Sequence, residues 1–132
     1  MTSQKQGPAA SGLPIRPTVF VVDDDEAVLS SLRFSLEIEG FRVRLFQNPQ
    51  ALLREHTFPE NACLLLDYRL PEINGLELLR RLRARGVKSP AILMTGHADP
   101  SLRRAAKEAG AGLLEKPYLN DNVASAIRAA IG

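Results

Sequence analysis

VFVVDDDEAV, residues 19–28, is an apolar run that stops abruptly in four acids, Asp23, Asp24, Asp25 and Glu26. With Thr18 the run reads TVFVV, near-continuous and β-branched, the pattern of a strand covered on both faces. Beyond the acids, Val28, Leu32 and Leu36 recur at helical spacing until Gly40 ends the pattern. The stretch therefore reads as a βα unit with carboxylates gathered at the carboxyl end of a buried strand.

The same rhythm continues outward. FRVRLF (41–46) alternates as a strand, and Asn48-Pro49 opens a second helix, with Asn as cap and Pro in the first turn. ACLLLD (62–67), AILMT (91–95) and AGLLE (111–115) read as strands. GLELLRRLRARG (75–86), DPSLRRAAKEAG (99–110) and NDNVASAIRAAI (120–131) read as helices, the last opened by Asn120 or Asp121. Strands alternating with helices predict an α/β fold, a doubly wound parallel sheet of (βα)5 type with helices on both faces. Residues 1–16, rich in Pro, Gly and Ser, read as a disordered leader, leaving 17–132 as one folded domain.

Composition removes several functional classes. A net charge of +2, from 17 basic and 15 acidic residues, is too balanced to argue for nucleic acid. The single Cys63 permits no intrachain disulfide, fits a reducing cytoplasmic setting, and reads as a small buried hydrophobe. No stretch approaches the ~20 apolar residues of a membrane span, and the N-terminus lacks the apolar region of a signal peptide.

In such a sheet, ligands bind beyond the carboxyl ends of the strands. The residues there are Asp23 and Asp24, then Asp67, Thr95 and Lys116. Two carboxylates ~5 Å apart repel by roughly 3 kcal/mol at an effective dielectric of ~20. A cation between them relieves that, and Mg2+, a small hard ion with oxygen ligands, suits the donors. Thr95 and Lys116 then offer donors to an oxygen-rich group. With Asp67 as nucleophile the set fits phosphoryl transfer to a carboxylate.

VVDDDEAV, LLLDYRLPEINGLELL, ILMTGHAD and LLEKPY together resemble the motifs of two-component response regulator receiver domains, over about residues 18–131. DYRLPEINGLELL and TGHAD resemble the FixJ-type subgroup most. The resemblance implies a CheY-like, flavodoxin-like fold of strand order 2-1-3-4-5. It implies Asp67 as phospho-acceptor from a sensor histidine kinase or phosphotransfer protein. Asp24 would ligate Mg2+ directly and Asp23 mainly through water, with the Arg69 backbone carbonyl completing the protein ligands. Lys116 would pair with Asp67, and Thr95 would turn to a phosphoryl oxygen. Gly96 would leave room beside that oxygen, while Arg69 and His97 would tune hydrolysis. The Lys116-Pro117 bond would be cis. Partner binding or dimerisation would use the face of the fourth helix, fifth strand and fifth helix, including Arg103, Arg104, Lys107 and Tyr118. The chain departs from the family pattern at Leu113, where an aromatic residue usually turns inward.

Plainer readings stand beside these. Asp25 reads as a helix cap, His97 as a loop residue, and the arginines of RRLRARG as the wet face of a helix whose Leu79 and Leu82 face the sheet. The domain is expected to be a signalling acceptor, not an enzyme, with no role at nucleic acid or membrane. It is either a stand-alone receiver, towards which the reading leans, or the receiver of a longer FixJ-type DNA-binding regulator. The rivals are an aspartate-nucleophile phosphatase using Asp23 and Asp25, and a binding module that works without phosphorylation.

Overall fold

A computed structural model describes residues 16–116 and 120–132. The strands are β1 (Thr18–Val22), β2 (Arg42–Phe46), β3 (Ala62–Asp67), β4 (Ala91–Thr95) and β5 (Ala111–Glu115). The helices between and after them are α1 (Glu26–Ile38), α2 (Pro49–Leu53), α3 (Gly75–Ala84), α4 (Pro100–Glu108) and α5 (Asn120–Ile131). All neighbouring strands pair in parallel, in the order β2-β1-β3-β4-β5. The expected (βα)5 arrangement is present. Of the expected leader only Arg16 is described; residues 1–15, Pro117 and Tyr118 lie outside the described residues.

Side chains alternate along each strand, so the central strands serve two cores at once. Val19, Val21, Cys63, Leu65, Ile92 and Met94 meet Leu32 and Leu36 of α1 and Val123 and Ile127 of α5. Phe20, Val22, Leu64, Leu66 and Leu93 meet Leu52 of α2, Leu79 and Leu82 of α3, and Ala106 of α4. That double duty is why β1, β3 and β4 read as unbroken apolar runs. Cys63 belongs to the first core, and burial pushes its thiol up to about 12, the behaviour of a packed hydrophobe.

Side-chain caps start the helices. Asp25 accepts from the N–H groups of Ala27 and Val28, at 2.9 and 3.4 Å. Asn48, Asn74 and Asp99 cap α2, α3 and α4 in the same way. Gly40 follows α1 with φ +98°, a value that favours glycine. The arginines after Leu79 divide. Arg80 and Arg81 are exposed as expected, but two others hold loops together. Arg83 donates to the carbonyls of Val87 and Ser89, and Arg85 to those of Leu53 and Glu55. No helix among the described residues is long and apolar enough to cross a membrane.

One glycine sets the spacing between β3 and the helix that follows it. A Cβ at Gly75 would collide with the backbone carbonyl of Asp67. Gly75→Ala is therefore expected to lower stability by about 1–3 kcal/mol, the cost of overpacking a tight contact. Urea unfolding of the two proteins measures it.

Candidate functional site

Strand register assembles the site. Val22 pairs with Leu66, so the next residue on each strand brings Asp23 and Asp67 side by side. Thr95 ends β4 and pairs with Glu115, which puts Lys116 one step past the end of β5. The Lys116 N–H donates to the Thr95 carbonyl at 2.7 Å, fixing that step. One oxygen from each of Asp23, Asp24 and Asp67 lies within 4.8 Å of the others. Asp23 and Asp67 are buried, at 1% and 3% exposure, while Asp24 is exposed. Lys116 Nζ stands 3.5 Å from Asp67 Oδ1.

The charges do not balance. Burial is the main cause that lifts the Asp67 carboxyl to about 6, and the neighbouring charge of Asp23 adds to it. The Lys116 ammonium and the backbone N–H of Arg69, which donates to this carboxylate, pull the other way and do not compensate. Burial also raises Asp23, against the Asp25 N–H and Lys116. Asp23 Oδ1 accepts from the Asp25 N–H at 2.9 Å, but its Oδ2 is buried without a hydrogen-bond partner. A buried carboxylate oxygen with no donor, facing two further carboxylates, fits a hard divalent cation bound through oxygen.

The other candidates have different places. Asp25 is turned to the first amides of α1, so the acid that a phosphatase reading needs is occupied as a cap. The Thr95 hydroxyl donates to the His97 carbonyl at 3.1 Å and accepts the His97 N–H at 3.2 Å. It therefore closes a local turn rather than reaching for Asp67. Thr95, Gly96, His97, Tyr68 and Arg69 border a cavity of about 470 Å³ between the loops after β3 and β4. A cavity of similar size, about 460 Å³, lies among the loops that lead into β3 and β4, with no acid of the cluster in its walls. Leu113 is half-buried against the second core. The Lys116-Pro117 bond and Tyr118 fall outside the described residues.

Two supporting features escaped sequence reasoning. Gly75, discussed above, could have been suspected from the Asn74-Gly75 pair, a turn signal. Glu72 has φ +73°, and the Ile73 N–H donates to the Pro71 carbonyl at 2.8 Å across it, a tight three-residue turn. Nothing in a glutamate announces that conformation.

The model of the response regulator receiver domain matches residues 19–128. The chain belongs to this family. The receiver is 40% identical over 121 residues to the transcriptional regulatory protein FixJ of Azorhizobium caulinodans, covering 91% of this chain and 57% of the relative. FixJ of Bradyrhizobium diazoefficiens is 40% identical over 114 residues, covering 86% of this chain and 56% of its own. The receiver thus spans little more than half the length of these curated relatives. Among solved structures, FixJ-N superposes with a TM-score of 0.81 at 37% identity, covering 89% of this chain and 95% of that one. The receiver is of the FixJ type and functions in two-component signalling, in a family that carries its phosphoryl group on an aspartate.

The raised Asp67 carboxyl has a consequence for stability. The folded protein holds that proton more tightly than the unfolded chain, whose carboxyl titrates near the ordinary value of 3.8. Without a divalent cation, stability is therefore expected to fall as pH rises from about 4 to about 6 through this group, then level off. Asp67→Asn removes the ionisation. At pH 7.5 it is expected to unfold at higher urea, with a gain of about 1–3 kcal/mol and a flatter pH profile across that window.

Proposed function

We propose that this receiver accepts a phosphoryl group on Asp67 in a reaction that needs Mg2+. The observation that carries the reading is the buried, partnerless Oδ2 of Asp23 beside Asp24 and Asp67, with Lys116 on the far side of the acceptor. Asp23, Asp24, Asp67 and the Arg69 carbonyl would hold Mg2+, which would supply positive charge where carboxylate and phosphoryl oxygens meet.

The chain's own residues do the rest. The Arg69 N–H and Lys116 hold Asp67 in place, and burial keeps competing water away from it. A carboxylate oxygen of Asp67 forms the new P–O bond as the bond from phosphorus to the donor's leaving group breaks. Lys116 stays against the product, and the Thr95 hydroxyl leaves His97 to donate to a phosphoryl oxygen. Gly96 adds no side chain there, and Arg69 and His97 at the cavity mouth govern how water later reaches the acyl phosphate. The donor is a sensor histidine kinase or a phosphotransfer protein, in a cytoplasmic setting. The output surface is the face of α4, β5 and α5, where Arg103, Arg104 and Lys107 are exposed.

The named relatives favour a second setting for the same chemistry. They are transcriptional regulators about twice the matched length. In that setting the domain is the input half of a DNA-binding regulator, and phosphorylation controls the output half.

Incubation with acetyl phosphate and Mg2+ is expected to add one phosphoryl group by intact-mass measurement, and none after chelation or in Asp67→Asn. Lys116→Ala is expected to slow the gain by about 10²-fold, the loss of one fixed donor to the developing charge. An unchanged mass in the wild-type protein would leave a binding module that works without phosphorylation.

A further inference from the structure

The two bonds between the Thr95 hydroxyl and His97 hold the turn that forms one lip of the 470 Å³ cavity. Tyr68 lines the same cavity, together with buried Leu76 and Leu102 and the small side chain of Ala105. The backbone of Tyr68 is pinned on both sides. Its N–H donates to the Met94 carbonyl at 2.7 Å, and its carbonyl accepts the Gly75 N–H at 2.9 Å. Any response of this residue must therefore come from its side chain, which is half-buried against the second core. Among the described residues it is the only ring in the cavity wall besides the exposed His97 imidazole. Phe20 packs with Phe46 and Phe58, Phe41 lies under Arg128, and Phe34 is exposed on α1. Position 113 on β5 carries leucine.

We infer that Tyr68 is the conformational switch of this domain, its ring swinging into the cavity beside Thr95 when Asp67 is phosphorylated. The inference rests on the acceptor role proposed for Asp67. A phosphoryl group brings about −1.5 to −2 charges and three strong acceptor oxygens. The Thr95 hydroxyl has one proton, so donating it to a phosphoryl oxygen gives up the His97 carbonyl. The turn at 95–97 then loses that bond, and as the hydroxyl rotates toward the phosphoryl group it draws away from the His97 N–H as well, so the lip of the cavity moves. A ring at the border gains by entering, because it exchanges water for the apolar floor of Leu76 and Leu102. The wall it meets is α4, through Leu102 and Ala105, so the ring carries the chemistry at Asp67 to a helix of the output face.

The chain has two tyrosines and no tryptophan, so in a Tyr118→Phe variant the tyrosine emission comes from Tyr68 alone. Acrylamide quenching of that emission is measured before and after treatment with acetyl phosphate and Mg2+, with intact mass giving the phosphorylated fraction. The quenching constant of the phosphorylated protein is expected to fall by roughly twofold as a half-exposed ring becomes buried. In Thr95→Val, scaled to its own phosphorylated fraction, no fall is expected. A full mass gain with an unchanged constant overturns the switch and leaves the acceptor role standing. A fall that persists in Thr95→Val also overturns it, since the ring would then move without the hydroxyl. No mass gain at all overturns the acceptor role and this inference with it.

Discussion

Asp67 sits between a carboxylate that repels it and an ammonium that draws it, at the edge of a sheet where both carboxylates are nearly cut off from water. Asp23 and Lys116 are both within reach, yet Asp67 still binds its proton more tightly than a free carboxylate. Unpaired charge in such a place destabilises a fold unless its surroundings are over-determined. Here they are: parallel register fixes the relative height of β1, β3, β4 and β5, and packed side chains on both faces stop the strands from sliding apart. The strain at the edge is held by the core beneath it, and a cation bound there would relax it.

Most of this could be read from the residues because it follows from strand geometry. An apolar strand that ends in Asp places that Asp at the carboxyl edge, whatever the loops do, so Asp23, Asp24, Asp67, Thr95 and Lys116 were all locatable. Side-chain choices in the loops were not. The Thr95 hydroxyl has equally good partners in a local turn and across the site, and only the backbone path of residues 95–97 decides between them. Arg83 and Arg85 look like solvated charges on a helical wheel. Arg83 holds carbonyls because the chain beyond α3 folds back under it, and Arg85 because the end of α2 lies within its reach. Asp25 was legible as a cap because capping depends only on its immediate neighbours.

Homology and geometry speak to different parts of the protein. The family match covers residues 19–128, the whole alternating fold with its acidic edge. The FixJ relatives, named as transcriptional regulatory proteins, are longer than the region they share with this chain, which spans 57% and 56% of them. In the function proposed here, a chemical event at one carboxylate becomes a change of surface, and the loops after β3 and β4 border the cavity between the two. One of those loops is stiffened by the tight turn at Glu72 and by the contact of Gly75 with Asp67. The other is held by a single threonine.

The alternation of side chains along β1, β3 and β4 makes the sheet a wall between two rooms. Leu76, Ala105 and the cavity they line belong to one of them; Leu29, Val123 and Ile127 furnish the other. Substitutions that refit the first room for a new output need not be matched by changes in the second. The packing beneath the cavity can therefore be altered while α1, on the other side of the sheet, is left untouched.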